Sequence, residues 1–476
     1  MTAALPSLFE RAPPVAAART GTAFALPVPT DARATLARGW LWLALASLLG
    51  SGLFSVLLVA SRTPGLNRLF DRPDFFRVAL VVHVDLSVLV WFCALAGLLW
   101  TLNGSARGLR WGWTAFLACA AGAALMALAP FAGDGEPVMA NYIPMLDGPL
   151  FVAALLLFGA GVALLVLRAL LAAPPVGARP DGAAALRFGL NASVVATAVA
   201  LLAFGWSWAV VPRSLDARAY YEILYWGGGH ALQFTWTLLM LVAWLWLAGA
   251  GGARAPLSPR LAVALFALAL LSVFATPLAY LVGHPASVEH RALHTWAMRI
   301  GGGLAVLPVA LAVLAGLAAR RAGSELPAPQ RPLRAALLSS MLLFAAGGLI
   351  GVFISGSNVR VPAHYHGCIV GVTLALMGLV LLLLPRLGYG APQGRLAVAQ
   401  PWVYGLGQLL HILGLVWSGG YGVQRKVAGS EQVLRSFGEV AGMGLMGLGG
   451  AVAIAGGLLF VWVVARALRA PAGEGH

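Results

Sequence analysis

The stretch AHYHGCIVGVTLALMGLVLLLLP, residues 363–385, decides the fold, because two histidines one residue apart open a long apolar run. In a helix, residues two apart point about 200° from each other, so His364 and His366 face opposite sides and cannot easily share one metal ion. A histidine inside a membrane helix is costly and usually functional. The pair therefore predicts a helix lying between two separate metal centres, most simply two hemes.

The composition of the rest of the chain indicates a polytopic integral membrane protein. The 476 residues are 60% hydrophobic and only 10% charged, and the mean hydropathy is +0.87. Apolar runs of roughly 20 residues, the length that spans a bilayer core, recur along the chain. We predict an all-α fold with about twelve transmembrane helices. Their predicted positions are 38–61, 76–101, 109–131, 147–171, 185–211, 220–250, 259–282, 297–319, 332–356, 361–385, 400–419 and 437–466.

The segments outside the predicted membrane domain, residues 38–466, are short. Residues 1–37 are rich in Pro, Thr and Arg and lack the apolar central run of a cleavable signal. We expect them to form a disordered cytoplasmic tail, with a second short cytoplasmic tail at 467–476. The three cysteines all lie in apolar segments and are interpreted as small hydrophobic residues, not as disulfide or zinc partners: Cys93, Cys119 and Cys368.

The net charge of +15 predicts the orientation in the membrane. If both termini are cytoplasmic, the cytoplasmic side carries 19 of the 31 Lys and Arg residues against 5 acids, and the outer side carries 12 against 10. This distribution obeys the positive-inside rule and predicts a multi-pass protein of the bacterial cytoplasmic (inner) membrane. Contact with anionic membrane lipid accounts for the charge, so no nucleic-acid partner is expected.

With that orientation, four histidines on three predicted helices lie in the outer half of the membrane: His83, His230, His364 and His366. Imidazole is a ligand for heme iron, copper and zinc. Two imidazoles on one heme give a low-spin centre that only passes electrons, whereas a single imidazole leaves an open face for a gas. Alternatively, each histidine is a polar core residue bonded to a neighbouring helix. The spacing alone does not say which histidine belongs to which heme.

These features together resemble subunit I of the heme-copper oxidase superfamily, which includes terminal oxygen reductases and nitric oxide reductases. One shared feature is the number of spans, twelve. The others are a histidine early in the second span, the Gly-Gly-Gly-His run in the sixth span, the His-aromatic-His motif in the tenth span and His411 in the eleventh span. The resemblance covers nearly the whole chain after the N-terminal tail. It implies that His83 and His366 are the axial ligands of a low-spin heme and His364 the proximal ligand of a high-spin heme. It also implies that His230 binds a second metal, copper or non-heme iron.

The resemblance implies a di-heme respiratory oxidoreductase, similar to a cytochrome c oxidase or a nitric oxide reductase. Electrons would pass through the low-spin heme to the high-spin heme, where O2 or NO is reduced, and at least one heme would be of b type. The chain has neither a Cys-x-x-Cys-His attachment motif nor a soluble copper domain. We therefore expect an electron-donating partner subunit or a soluble cytochrome c.

The sequence departs from this family at the second metal. Where the family ends the seventh span with adjacent histidines, residues 274–280 read FATPLAY, so Thr276 and Pro277 replace two ligands. Phe234 stands where many oxygen reductases have a tyrosine. The alternative is a non-catalytic heme protein of the same fold that serves in NO or O2 sensing, NO tolerance, or metal or heme handling. A third hypothesis is a secondary transporter whose histidines relay protons.

Three further histidines follow the seventh predicted span: His284, His290 and His294. His290 and His294 are spaced i, i+4, so one helical turn would put them on one face. We expect all three to be solvated outer-loop residues. The alternative is a displaced metal site, which requires the loop to fold back into the membrane domain.

Two other side chains are candidates for proton chemistry. Tyr280, near the end of the seventh span, either replaces the missing tyrosine or is an aromatic-belt residue. Asp85, the only acid inside a predicted span, is interpreted either as a proton relay or as the partner of a hydrogen bond to a neighbouring helix.

Overall fold

The computed structural model describes residues 22–69, 73–133, 135–319 and 325–470, and it confirms the all-α membrane fold. Twelve long helical segments among the described residues lie at the twelve predicted positions. They are α1 Ala32–Arg62, α2 Asp74–Asn103, α3 Leu109–Leu128, α4 Pro149–Ala172, α5 Gly182–Val210, α6 Ala217–Ala250, α7 Pro259–Val282, α8 Val288–Ala318, α9 Gln330–Val352, α10 Arg360–Leu383, α11 Arg395–Gly420 and α12 Phe437–Arg469.

Eleven of the described helices are long and apolar enough to cross a membrane. The one remaining long helix of the described residues, α11, has 26 residues. It packs against α9, α10 and α12, so it belongs to the same bundle.

The first helix begins earlier than predicted. Asp31 caps α1, since its carboxylate accepts the N–H of Arg33 at 2.9 Å. The preceding residues 22–30 run along the bundle, where Phe24 is buried and the N–H of Thr22 donates to the carbonyl of Ala255. Residues 22–37 are therefore packed in place, contrary to the disordered tail predicted for 1–37. Residues 1–21 and 471–476 of the two predicted tails lie outside the described residues.

The helices that carry the predicted ligands are the innermost ones. Among the eleven candidate spans, α6 and α10 have 89% and 83% of their most apolar window buried, and α2 follows with 61%. Because these three helices turn little surface toward lipid, their histidines project into the interior of the bundle. This is where a polar ligand is protected from hydrocarbon.

Two of the helices are irregular beside the predicted site. In α2, residues Asp85–Val90 form a π-helical turn that begins two residues after His83, a feature that is frequent at functional sites. In α7, regular helix stops at Val273 and resumes at Ala275. Pro277 explains the interruption, because it has no N–H to donate to the carbonyl four residues earlier.

A short β-hairpin connects α3 to α4. Its strands, Glu136–Val138 and Met145–Asp147, are antiparallel, with Val138 opposite Met145. The turn between them places Asn141 and Tyr142 against α6. The connection thus covers one end of α6, the helix that carries His230.

Glycines allow α11 and α12 to pack with their backbones in contact. A Cβ on Gly456 would overlap the backbone of Tyr404, whereas a Cβ on the adjacent Gly457 would have no atom within 4 Å. Small residues at such positions are typical of membrane helix interfaces, where close packing replaces the hydrophobic driving force.

This adjacent pair gives a matched stability test. Gly456→Ala should destabilise the bundle by about 1–3 kcal/mol through overpacking, which lowers the thermal midpoint of the detergent-solubilised protein. Gly457→Ala gains the same helix propensity without the clash, so its midpoint should stay the same or rise. Equal midpoints for the two variants would contradict the close contact.

Candidate functional site

The two histidines of α10 face different neighbours, as the sequence predicts. His364 donates its Nδ1–H to the carbonyl of Gly347 on α9, at 2.8 Å. Gly351, one turn further, leaves room for the ring, since a Cβ there would lie 2.7 Å from the His364 Nδ1. The ring of His366 instead lies 4.9 Å from the ring of His411 on α11. One helix thus presents an imidazole to each of two regions.

The His366 side gathers three imidazoles. On α2, His83 donates its Nδ1–H to the carbonyl of Ser51 at 3.0 Å, which leaves the Nε2 lone pair available. On α11, His411 makes the equivalent bond to the carbonyl of Met446, also at 3.0 Å. His83 is close enough to His366 and His411 to interact electrostatically with both. These three histidines form the His366 cluster, in which His366 and His411 are in ring contact and His83 is within electrostatic range of both.

A separate group of side chains surrounds His230 on α6. Its Nδ1–H donates to the carbonyl of Trp226 at 2.8 Å, and the hydroxyl of Tyr142 lies 3.1 Å from its Nε2. The three preceding glycines are each covered by an aromatic ring, because a Cβ there would overlap a ring. The pairs are Gly227 with Tyr280, Gly228 with Phe204 and Gly229 with Tyr142. These glycines therefore let three aromatic side chains approach the helix that carries His230.

The expectation of a solvated outer loop is wrong for His290 and His294. Helix α8 begins at Val288, nine residues before its predicted start, and the two side chains are 0% and 1% exposed. The His294 ring lies 4.5 Å from that of His290 and 5.5 Å from that of His230. In contrast, His284 is exposed and hydrogen-bonds to the carbonyl of Val210 through Nε2, so it stands apart from this cluster.

Six of the histidines share one hydrogen-bond pattern, in which Nδ1 donates to a backbone carbonyl. Such a bond fixes the tautomer and orients Nε2 as the free ligand atom, the usual arrangement around a protein-bound metal. The histidines are His83, His230, His290, His294, His364 and His411. The exposed His284 does not follow the pattern.

Tyr280 is an interior residue, so the aromatic-belt interpretation is wrong. It is 7% exposed, and its ring centre lies 4.6 Å from that of His290. Its hydroxyl donates to the carbonyl of Ala203 at 3.0 Å and lies 2.6 Å from the Ser207 hydroxyl. The tyrosine therefore connects the second histidine cluster to α5.

Asp85 is buried, and its carboxylate lacks hydrogen-bond partners among the described residues. It is 1% exposed, and neither carboxylate oxygen has a hydrogen-bond partner among the described residues. The structural hydrogen bond to a neighbouring helix, one of the two sequence interpretations, is therefore not found there. This observation does not test the proton-relay interpretation.

A polar network lies at the hairpin end of the site. Arg425 and Lys426, between α11 and α12, both reach the side-chain oxygen of Asn141 in the hairpin, at 3.3 and 3.2 Å. Lys426 is the one non-glycine residue with positive φ (63°) in the described backbone, a strained conformation that is often functional. Burial, together with the neighbouring Arg425, lowers the pKa of Lys426 to about 8. The Nε of Arg360, at the start of α10, is buried and has no hydrogen-bond partner among the described residues.

Sequence reasoning missed two residues of the hairpin, Asn141 and Tyr142, and the early start of α8. Tyr142 and Asn141 reach the site through the hairpin, a tertiary contact that no local pattern reveals. Helix α8 starts early because Ser287 caps it, accepting the N–H of His290 at 3.2 Å. A serine followed by an acid and an i, i+4 pair is a recognisable start signal, and it would have placed both histidines on a helix.

Comparisons with known proteins identify the family of the chain. Residues 35–453 match the family model described as cytochrome c and quinol oxidase polypeptide I. An uncharacterized protein of Rickettsia prowazekii (strain Madrid E) is 29% identical over 510 aligned residues, covering 91% of this chain and 96% of the relative. An uncharacterized protein of Aquifex aeolicus (strain VF5) is 30% identical over 360 residues, covering 75% and 86%.

A solved structure shares the fold. The cryo-EM structure of a heme-copper terminal oxidase dimer superposes with a TM-score of 0.71 at 17% identity, covering 94% of this chain and 86% of that chain. The family model spans most of the chain and includes every histidine of the two clusters. The chain therefore belongs to the cytochrome c and quinol oxidase polypeptide I family, the subunit I family of the heme-copper oxidases.

Proposed function

We propose that the chain is the catalytic subunit of a respiratory terminal oxidase that reduces O2 with electrons from a cytochrome c or a partner subunit. The family is one of heme-containing membrane oxidoreductases. The observation that carries the proposal is the divided pair on α10, where His364 and His366 serve two different regions of one bundle.

The residues present fit two hemes. His83 and His366 would hold the low-spin heme, and His364 the high-spin heme. The Nδ1 bonds of His83 and His364 to backbone carbonyls orient each Nε2 as an iron ligand. When bound, the hemes supply electron transfer at the first site and gas binding at the second.

The cations of the polar network are suited to binding anionic groups. Arg360, Arg425 and Lys426 bring three cations to the end of the bundle where the α10 histidines lie, and the buried Arg360 Nε has no partner among the described residues. Heme propionates have the charge and hydrogen-bond acceptors that such a cluster binds. An anion beside Lys426 would also restore its lowered pKa, because it stabilises the charged ammonium.

Reduction of O2 to two waters consumes four electrons and four protons, so the chain must deliver protons to the site. Tyr280 lies beside His290, and its hydroxyl continues to the Ser207 hydroxyl of α5. Asp85 lies in the π-helical turn that follows His83. We propose Tyr280 as a proton donor at the site and Asp85 as a proton relay on the outer side.

A second candidate function is a non-catalytic heme protein of the same fold for gas sensing, NO tolerance or heme handling. Thr276, Pro277 and Phe234 favour it, since they replace residues that the family uses at the second metal and for proton donation. The burial of His290 and His294 beside His230 argues against it, because imidazoles are still gathered at that place.

The functions are separated by gas consumption of the purified full-length protein. With ascorbate and reduced cytochrome c or a small redox mediator as donor, we expect sustained O2 uptake that CO inhibits. Faster consumption of NO than of O2 under the same conditions would reassign the substrate. A fully heme-loaded protein that consumes neither gas would contradict the oxidase and favour the non-catalytic alternative.

A further inference from the structure

An open groove lies at the end of the bundle opposite the β-hairpin. It has a volume of about 500 Å³ and is lined by residues 25–28 and by Arg386, which follows α10. Sites for small molecules typically have volumes of about 300–1,000 Å³. Trp246 at this end of α6 is separated from His230 by about 24 Å along the helix, at about 1.5 Å per residue. The groove therefore has the size of a ligand site and is separate from the histidine clusters.

The wall that residues 22–30 contribute to this groove is fixed by backbone contacts. A Cβ on Gly249, near the end of α6, would overlap the carbonyl oxygen of Phe24. A Cβ on Gly182, at the start of α5, would likewise overlap the carbonyl oxygen of Ala23. The wall is therefore preformed, which spares a ligand the free-energy cost of ordering its own site.

A smaller inner cavity continues from the groove into the bundle. The two share Leu26 and Pro27, and the inner cavity has a volume of about 10 Å³, close to what one water molecule needs. Trp246 and Asn103 line it, and the Trp246 Nε1 and Asn103 Oδ1 are buried without hydrogen-bond partners among the described residues. Because buried polar atoms are normally paired, this donor and this acceptor indicate that a polar molecule enters the inner cavity.

Two guanidinium groups give the groove and the inner cavity a positive charge. Arg386 lines the groove and Arg187 lines the inner cavity. The Cζ of Arg386 also lies 5.8 Å from the ring centre of Trp246, which orients this guanidinium beside the opening. The ion pairs found among the described residues involve other arginines, so both groups keep N–H donors for an anion. The planar fork of a guanidinium matches the oxygens of a phosphate.

We propose that the groove and the inner cavity together bind a small organic phosphate. Its phosphate group binds the guanidinium groups of Arg187 and Arg386, and its apolar part packs on residues 26–28. The Trp246 Nε1 donates to a water in the inner cavity, and this water donates to the Asn103 Oδ1. A soluble phosphate ester and a phospholipid headgroup share this chemistry. The site is independent of the proposed function, because no heme and no redox step enters it.

The test is the binding of phenyl phosphate to the full-length, heme-loaded protein in a neutral detergent at low salt, measured by isothermal titration calorimetry. We expect saturable binding to about one site per chain, as a single groove of this size requires. Inorganic phosphate lacks the apolar part, so it should bind at least about tenfold more weakly. Phenol lacks the negative charge and should not bind measurably.

Variants of the lining residues locate the binding. Arg386→Gln should weaken phenyl phosphate binding at least about tenfold, because it removes a charge-assisted hydrogen bond. Ala25→Trp keeps every charge and should weaken binding to a similar extent by filling the groove. Arg110→Gln is the matched control, because it removes the same charge from an exposed residue at the same end of the bundle, outside the groove. Unchanged heme spectra show that each variant folds.

The absence of saturable phenyl phosphate binding by the unchanged protein would overturn the site. Equal weakening by Arg110→Gln and Arg386→Gln would also overturn it, since the binding would then be a nonspecific effect of charge. Native mass spectrometry of protein taken from bilayers with phosphatidylglycerol identifies the source of the phosphate. One retained lipid that phenyl phosphate displaces, and that Arg386→Gln loses, assigns a headgroup. Phenyl phosphate binding without a retained lipid assigns a soluble ester, and either source supports the site.

Discussion

Replacing His366 by alanine should remove the low-spin heme. Bis-histidine ligation needs an imidazole on each face of the macrocycle, so loss of one leaves the iron without its six-coordinate, low-spin state. The reduced-minus-oxidised spectrum of the purified variant should lose its low-spin bands. Electron delivery to the gas-binding heme should fall by more than about 100-fold, since even a group that only orients a ligand is worth 10–100-fold at such sites.

His411→Ala is the control for this experiment. Its ring lies 4.9 Å from that of His366, and its Nδ1 is bonded to the Met446 carbonyl. We expect the variant to keep both hemes with a shifted low-spin band, because His411 packs beside the ligand without replacing it. Loss of the low-spin heme in His411→Ala and its retention in His366→Ala would show that His411 is the true ligand.

Replacing His364 by alanine should abolish CO binding and leave the low-spin spectrum intact. The ring bonds to α9, on the side of α10 away from His366, so its loss should leave the low-spin site intact. Oxygen uptake should fall by more than about 100-fold, because the reacting heme loses its one protein ligand. CO difference spectra of the reduced variant measure the first effect directly. Retention of CO binding together with loss of the low-spin bands would reverse the assignment of the α10 pair.

The fold and the α10 pair follow from local patterns. Long apolar runs predict helices because each spans a bilayer, and the one-residue separation of His364 and His366 predicts opposite faces through helix geometry alone. The structure confirms both, since one ring neighbours Gly347 and the other His411. The position of each histidine along its helix was likewise predictable, because it depends only on the number of residues from the start of the span.

What the sequence did not reveal depends on tertiary contacts. The start of α8 is polar, so a criterion based on apolar runs places it at residue 297 and leaves His290 in a loop. The structure buries that residue because α8 extends to Val288 and packs against α6 and α7. The contact between Tyr142 and His230 joins residues 88 positions apart, which no local period encodes. The packing of Phe24 against the bundle was not predicted either, because it also depends on a contact between residues that are distant in sequence.

These differences change the interpretation of the second-metal region. From sequence, Thr276 and Pro277 leave His230 as a lone ligand and favour a protein without binuclear chemistry. With His290 and His294 buried and their rings next to each other and to that of His230, the region again has three imidazoles, drawn from α6 and α8. The substitution on α7 therefore does not by itself argue for loss of catalysis.

The central claim is that one chain holds two hemes of different ligation, and the most direct measurement is the heme content of the purified full-length protein combined with its CO difference spectrum. The account predicts about two hemes per chain, of which about one binds CO when reduced, as one bis-histidine and one mono-histidine site require. A single heme per chain, or two hemes that both fail to bind CO, would contradict it.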